Sequence, residues 1–526
     1  MELRPYQKEA IEAVRNEWNM GRDKTLLVLP TGTGKTICFA ETLMQQVKQG
    51  DRCLVLAHRG ELLNQARDKI KQVTGLNCAF EKADQTALGS YLSITVGSVQ
   101  TLMNDERREL FPPDYYQTIV VDEAHHVISE SYMKVLNYFK DAKVVGCTAT
   151  PDRGDMQNLG KYFDSLAYEY SLVDAIHQGY LSPIKALTVP LNIDISKVKV
   201  SQGDYQLSDI GDALEPYLYE IADKLIEYCS DRKTIVFLPL IKTSQKFCQI
   251  LRDKGISAAE VNGNSTDRDE ILKDYEEGKY QVLCNSMLLT EGYDCPSIDC
   301  VVVLRPTKVR SLYSQMIGRG TRLYPGKKDL LILDFLWMTS RHDLCRPSCL
   351  IAKKADIADK ATKRLEADTG EEKNLEEIIL QAEKDAVEER ENALAEQLKK
   401  QRHKKMRLVD PLQYAYSIRS EDLIDYVPSF AWQKQEVTDG QKKVLENFGL
   451  NPDSITSKGE ANLLIGHLIA RSRSNLASPK QIRFLEQRGF LHVGTWTKEQ
   501  ATKMISRISN NHWMVPRGIK PEEYKP

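Results

Sequence analysis

At 526 residues the chain is too long for one hydrophobic core, and ordinary domain sizes imply three or four domains. Its 72 basic and 74 acidic residues leave a formal charge of -2, which excludes a polycation and confines any nucleic-acid surface to a local patch. The eleven cysteines form no C-x-x-C pair, "MELRPYQKEA" shows no charged-then-apolar leader, and no stretch approaches about 18 uninterrupted apolar residues; the expectation is a reduced, soluble, cytoplasmic protein with no membrane partner.

In chain order, short apolar runs alternate with amphipathic helical stretches: "TLLVLP", "CLVLA", "SITVGS", "TIVVDE" and "KVVGCTAT", then "KTIVFLP", "AAEVNG", "QVLCNS", "CVVVLR" and "DLLILDF". Runs of this length predict parallel strands buried on both faces. The rhythm breaks between Thr150 and Lys233, so two α/β lobes joined by an irregular connection are expected, over residues 1–185 and 186–345. From about Ala352 the composition turns to Ala, Glu, Lys and Leu, predicting a charged helical linker over 346–409. Glu366 to Leu398 holds twelve acidic and three basic residues, "KKQRHKKMR" follows, and Leu375, Ile379, Ala382, Ala386, Ala393 and Leu394 sketch a weak seam. Residues 410–526 are expected to form a small all-α domain.

"LPTGTGKT" (Leu29 to Thr36) follows an apolar run and opens a helical stretch, the context of a phosphate-binding loop, although its customary first glycine is Leu29. Thr31, Gly32, Thr33 and Gly34 would bring backbone N–H groups to a triphosphate, Lys35 would reach its β- and γ-phosphates, and Thr36 would hold Mg²⁺. "IVVDEAHH" puts two carboxylates at a strand exit: Asp122 suits the ATP-bound Mg²⁺ and Glu123 the attacking water, the competing reading being a helix cap. In "QMIGRGTR", Arg319 and Arg322 are three apart and on a helix would share a face toward a transferring phosphoryl group; surface salt bridging is the alternative.

Together these residues resemble superfamily 2 helicases of the DEAH type, close to the XPB, RadD and type III restriction branch, over about residues 1–340. The resemblance implies two RecA-like lobes that bind ATP between them and grip a nucleic-acid strand. It implies that Arg4 and Gln7 of "LRPYQ" read adenine, that Ala57, His58 and Arg59, then Gly97, Ser98 and Gln100, contact the strand, and that Thr148 to Pro151 ("TATP") couples the two sites, with His125 between them. In the second lobe it implies a motif "NSMLLTEGYDCP" with Thr290, Glu291, Gly292 and Asp294, of which Thr290 contacts the strand and Gly292 and Asp294 the nucleotide, and a catalytic group of Gln315, Arg319 and Arg322 beside Lys35, Asp122 and Glu123. His342, Cys345 and Cys349 match no strong zinc pattern, Cys295 and Cys300 read as packing residues, and His126 reads as structural.

The tail repeats itself at an offset of forty residues: Gln441 with Gln481, Leu445 with Leu485, Gly449 with Gly489, Lys458 with Lys498, Ala461 with Ala501, Ile465 with Ile505. Each copy predicts a helical hairpin closed by its glycine and capped by Ser457 or Thr497. Thr438 to Pro526 holds fourteen basic and eight acidic residues, and Lys442, Lys443, Arg471, Arg473, Lys480, Arg483 and Arg488 are expected to be free for phosphates; docking of a protein partner is the alternative. The expected function is ATP-dependent movement along DNA, possible unwinding included, in replication, recombination or defence, with an RNA helicase and an ATP-switched subunit of a restriction complex as the competing readings.

Overall fold

The computed structural model describes residues 2–58, 60–149, 153–201, 203–286, 288–290, 293–338, 344–352, 354–386, 408–424 and 426–526. All ten apolar runs are strands. β1 (Lys24–Val28), β2 (Cys53–Ala57), β3 (Cys78–Glu81), β4 (Ile94–Ser98), β5 (Thr118–Asp122), β6 (Lys143–Thr148) and β7 (Ser165–Glu169) form one parallel sheet in the order β3-β4-β2-β5-β6-β1-β7. Every residue of β2 and all of β5 but Asp122 are buried, the mark of a sheet covered on both faces.

The second sheet takes β8 (Ile184–Asp194), β11 (Thr234–Phe237), β12 (Ala258–Val261), β13 (Val282–Asn285), β14 (Cys300–Val303), β15 (Leu330–Met338) and β16 (Glu372–Asn374), in the order β12-β13-β11-β14-β15-β8-β16. A two-stranded antiparallel pair, β9 (Val200–Ser201) and β10 (Asp204–Tyr205), stands apart. The expected irregular connection is therefore corrected: it contributes β7 to the first sheet and the eleven-residue β8 to the second. "IKALTVPLNID" escapes a search for apolar runs because Pro190, Asn192 and Asp194 are exposed while Leu191 and Ile193 are buried. The β8–β15 register shifts at this point, from Val189 opposite Phe335 to Asn192 opposite Leu336, and a bulge accommodates a proline that has no N–H for the ladder.

The charged segment is not wholly helical either. After the helix Ala355–Ala367, β16 adds antiparallel to β8, and residues 375–386 are helical with Leu375, Ile379, Ala382 and Ala386 buried; Ala393 and Leu394 lie outside the described residues. Arg346 ties this stretch to the second sheet by donating to Asp334 (3.1 Å), the Phe335 carbonyl (2.5 Å) and Glu366 (3.2 Å). The chain divides into two compact units, residues 1–383 and 384–526.

In the second unit the repeat is two hairpins: Asp439–Phe448 with Lys458–Arg473, and Pro479–Glu486 with Lys498–Asn510. Thr438 and Gln441 make a capping box, Ser478 and Gln481 make its copy, and Gly449 (φ 89°) and Gly489 (φ 90°) are both left-handed. Each repeated glutamine also joins its two helices: Gln441 Nε2 donates to the Lys458 carbonyl (3.1 Å) and Gln481 Nε2 to the Lys498 carbonyl (3.3 Å). Leu445, Ala461, Leu464 and Leu468 share one core with Leu485, Ala501, Met504 and Ile508. Of the seven basic side chains expected to be free, Lys442, Lys443, Arg473 and Lys480 are exposed, but three are engaged internally. Arg471 donates to the Gly494 carbonyl (2.5 Å) and Arg483 to the Leu408 carbonyl (2.8 Å), while Arg488 lies 3.6 Å over the Phe484 ring, because long apolar stems let a cation fold back on its own domain.

Glu486 is buried in this core with Ser417 Oγ donating to it at 2.8 Å, and burial pushes its carboxyl up from 4.5 to about 7. A carboxyl that binds its proton more tightly when folded stabilises the fold at low pH, and that contribution is lost as pH rises from about 4.5 through about 7. Glu486→Gln is thus expected to stabilise the second unit at pH 8, by roughly 3 kcal/mol on the scale of 1.36 kcal/mol per pKa unit, and to change little at pH 5. Hydrogen exchange of the core amides of Pro479–Glu486 in the full chain, at both pH values, measures this.

Candidate active site

The expected site residues of the first lobe gather at one edge of its sheet, beyond the C-terminal ends of the strands. The phosphate-loop sequence follows β1, His58 follows β2, Gly97 and Ser98 close β4, Asp122 closes β5 and Thr148 closes β6. Parallel α/β sheets place ligands at this edge. Leu29 stands where a glycine is customary because it continues the sheet: it is fully buried and its N–H donates to the Thr148 carbonyl at 3.0 Å.

Beyond Leu29 the loop turns through two left-handed glycines, Gly32 (φ 88°) and Gly34 (φ 84°), into the helix Lys35–Gln49. A Cβ at Gly34 would lie 2.7 Å from Gln7 Nε2, and one at Gly32 would lie 3.2 Å from the Arg322 stem. The Thr33 carbonyl accepts from both Tyr6 Oη (2.6 Å) and Gln7 Nε2 (3.1 Å), and Gln7 Oε1 accepts from the Arg4 N–H (3.0 Å). Gln7 therefore braces the loop through Nε2 while its Oε1 is anchored at the start of its own helix. The Arg4 guanidinium lies 4.8 Å over Tyr180, whose ring meets Tyr6, and Tyr6 stacks on Tyr170 at 4.2 Å.

Lys35 Nζ is buried, 3.6 Å from Glu123 Oε1, and has no hydrogen-bond acceptor among the described residues. Glu123 has left-handed backbone (φ 51°), strained for a residue with a side chain; its N–H donates to Asp122 Oδ1 (3.0 Å) and its Oε2 lies 3.4 Å from His125 Nδ1. His126 packs against His58 at 4.4 Å and against His125 at 4.1 Å, so it connects two of the expected functional segments as well as packing. A buried cation aimed at the loop and two acceptor carboxylates at the end of β5 suit a magnesium triphosphate, since Mg²⁺ takes only one or two protein ligands and the phosphates supply others. Thr36, on the first turn of the helix, and Asp122 are the residues available to it.

Gln315 lies in the helix Arg310–Gly318, its Nε2 buried without a hydrogen-bond partner among the described residues. The helix ends at Gly318, so Arg319 and Arg322 do not share a helical face as expected. Both turn to the same loop: Arg319 Nη1 donates to the Tyr293 carbonyl (2.6 Å) and Arg322 pairs with Asp294, while burial lowers the Arg322 pKa to about 10. The two lobes meet where the helix ends, with Thr321 Oγ1 donating to the Thr31 carbonyl at 3.4 Å. Ser182 binds the same segment, its N–H donating to the Thr321 carbonyl (2.7 Å) and its Oγ to the Arg322 carbonyl (3.0 Å). Nothing local in the sequence marks Ser182 or Tyr180 for the site.

Among the expected strand-contacting residues, Ser98 Oγ donates to Gln100 Oε1 (2.7 Å), a Cβ at Gly97 would lie 3.0 Å from both the Leu54 and the Leu102 side chains, and Thr290 is buried in the turn Leu288–Thr290. Arg59, Thr150, Pro151, Glu291, Gly292 and His342 lie outside the described residues. Among the described residues no group of three His, Cys, Asp or Glu side chains is placed to hold a metal; Cys345 is buried and Cys349 half-buried.

A Cβ on Gly318 would come within 2.5 Å of Thr31 Cβ, across the junction of the lobes. Gly318→Ala is expected to leave nucleotide affinity within threefold and to lower kcat by about tenfold, on the premise that small displacements at reacting geometry are costly. Steady-state ATP hydrolysis beside equilibrium nucleotide binding checks it.

Residues 1–153 match the family described as "Type III restriction enzyme, res subunit", and residues 218–324 match "Helicase conserved C-terminal domain". The chain is 35% identical over 352 residues to irc3 of Schizosaccharomyces pombe, named as a mitochondrial ATP-dependent helicase, covering 64% of this chain and 57% of that one. Among solved structures, a fragment titled as an HsdR subunit of a type I restriction enzyme from Vibrio vulnificus aligns with a TM-score of 0.50, 25% identity and 63% coverage of each chain. LlaBIII, an ATP-dependent type ISP restriction-modification enzyme bound to DNA, shares the fold at a TM-score of 0.54 and 17% identity, covering 97% of this chain and 42% of its own. The chain spans less than two thirds of the length of each of these relatives. Two RecA-like lobes meet at one phosphate loop, and in chain order the first carries a match to the type III restriction subunit family and the second a match to the helicase C-terminal domain, so residues 1–153 and 218–324 are similar to the paired domains of helicase and restriction motors.

Proposed function

We propose that this chain hydrolyses ATP between its lobes to move along DNA. The observation that carries the reading is the junction of Thr31 and Gly32 in the phosphate loop with Gly318, Thr321 and Arg322 from the other lobe, beside the Lys35–Glu123 pair. A triphosphate seated on the loop would take Lys35 from Glu123, leaving that carboxylate to orient and deprotonate a water. Mg²⁺ held through Thr36 and Asp122 would supply charge neutralisation at the phosphates. Arg319 and Arg322 would complete the site from the second lobe, so binding and release of nucleotide would close and open the lobes on a strand held by His58, Gly97, Ser98, Gln100 and Thr290.

DNA is favoured over RNA because "LRPYQ" and "AHRGEL" resemble the DNA-acting branch and because the solved LlaBIII relative is bound to DNA. The match of residues 1–153 to a restriction subunit supports a second reading, a motor that turns over only inside a larger complex. The exposed Lys442, Lys443, Arg473 and Lys480 offer the second unit a surface for the strand or for such a partner.

ATP turnover by the purified chain with single-stranded, duplex and forked DNA and with RNA separates these readings. The autonomous motor is stimulated by DNA, an RNA helicase by RNA, and a complex-bound subunit by neither. Glu123→Gln is expected to bind ATP normally and to lose at least about a hundredfold in turnover; hydrolysis at the wild-type rate would remove Glu123 from its role.

A further inference from the structure

Lys327 lies beyond every expected site residue, in the turn "YPGKK" that follows the arginines. Gly326 supplies the left-handed residue of that turn (φ 85°), and the Lys327 N–H closes it on the Tyr324 carbonyl at 3.0 Å. The turn sends the lysine side chain back under the arginine segment. There its ammonium donates to the carbonyls of Ile298 (2.5 Å), Arg322 (2.8 Å), Pro296 (3.4 Å) and Gly320. Two of these carbonyls belong to the loop that Arg319 and Arg322 grip, and two to the arginine segment itself.

We propose that Lys327 is a positioning residue for ATP hydrolysis, an ammonium clasp that fixes the backbone carrying Arg322 against the Tyr293–Ile298 loop. The inference rests on the hydrolytic reading given above. The chemistry suits a primary ammonium, whose three rotatable N–H donors are shared among four carbonyl oxygens, the 3.4 Å contact to Pro296 being the longest. Gly320 and Thr321 form the backbone between Arg319 and Arg322: Thr321 Oγ1 bonds the Gly318 (3.1 Å) and Thr31 (3.4 Å) carbonyls and Ser182 holds the Thr321 and Arg322 carbonyls from the other side, while Gly320, which has no side chain, is held through its carbonyl by Lys327. With the Gly320 and Arg322 carbonyls tied down, the Arg322 stem stays on Gly32 of the phosphate loop. Lys327 itself touches no part of that loop. Its place is behind the arginine, and its contribution passes through it. Burial lowers its pKa to about 8, the cost of holding a charge among backbone dipoles, with Asp299 and Asp329 nearby partly offsetting it.

The test is Lys327→Met in the full chain, which keeps the apolar stem and removes the clasp. DNA-stimulated kcat is expected to fall ten- to a hundredfold while ATP affinity stays within threefold and the melting temperature of the first unit holds. Binding of ADP with aluminium fluoride, a mimic of the transferring phosphoryl group, should weaken by the same factor as kcat. Because Lys327 acts through Arg322, the double variant Arg322→Ala/Lys327→Met should be no slower than Arg322→Ala alone. Turnover within twofold of wild type, or losses that multiply in the double variant, overturn the proposal, as does a parallel fall of kcat, ATP affinity and melting temperature. If the Met variant is too unstable to purify, Lys327→Arg is expected to show a smaller kcat loss with the same non-additivity. A purified wild-type chain with no ATP turnover on DNA would instead overturn the autonomous hydrolytic reading, and the inference with it.

Discussion

The arrangement of the first 383 residues turns on one close approach, the end of the Arg310–Gly318 helix against the phosphate loop. Thr31 occupies the space a side chain at Gly318 would need, and the Arg322 stem lies over Gly32. A loop that must present backbone N–H groups to phosphate has left-handed glycines, and at Gly32 it has no side chain to fill the space the Arg322 stem occupies. Whatever completes the site must come from elsewhere and must be small where it touches. The second lobe meets both demands, with glycine at the contact and arginine one turn further on.

Cations organise the far side of that approach. Arg319, Arg322 and Lys327 each bind the Tyr293–Ile298 loop, through the Tyr293 carbonyl, the Asp294 carboxylate and the Pro296 and Ile298 carbonyls. The arginine segment is thereby held to the loop that carries Asp294, which is expected at the nucleotide site, and that loop follows Thr290, which is expected to touch the strand. In the first lobe the packing of His58, His126 and His125 beside Glu123 makes a comparable link. Both links consist of direct contacts between neighbouring side chains and backbone, the kind of element through which two sites can bias one another.

The second unit shows how a duplication is kept. The positions shared at an offset of forty are the ones a hairpin cannot lose: the cap and its glutamine, the buried leucine, the left-handed glycine. Other positions differ, both in the core, where Leu464 and Leu468 answer to Met504 and Ile508, and at its half-buried rim, where Val444 and Phe448 answer to Phe484 and Arg488. Each hairpin alone would bury little, and the common core of the two supplies the rest.

Much of this was legible in the chain itself, for a physical reason. Buried parallel strands must be apolar without a break, so ten runs could be found by eye; a phosphate loop must carry glycine, lysine and threonine in order; a capped helix must begin with Thr or Ser and a glutamine three residues on. Each of these is a local demand. The strand Ile184–Asp194 does not read as an apolar run because its second half is exposed on one face and carries a proline, and the internal bonds of Arg471, Arg483 and Arg488 are not legible because a basic side chain reads the same whether it meets solvent or its own backbone. By itself the sequence determined the two lobes, the order of the motifs and the doubled hairpin, since periodicity and capping act between near neighbours. Only the tertiary structure decided that Gln7 braces the phosphate loop, that the arginines grip the Tyr293–Ile298 loop, and that Ser182 and Lys327 hold their backbone, because those contacts join residues far apart in the chain and depend on where each side chain's few donors find acceptors.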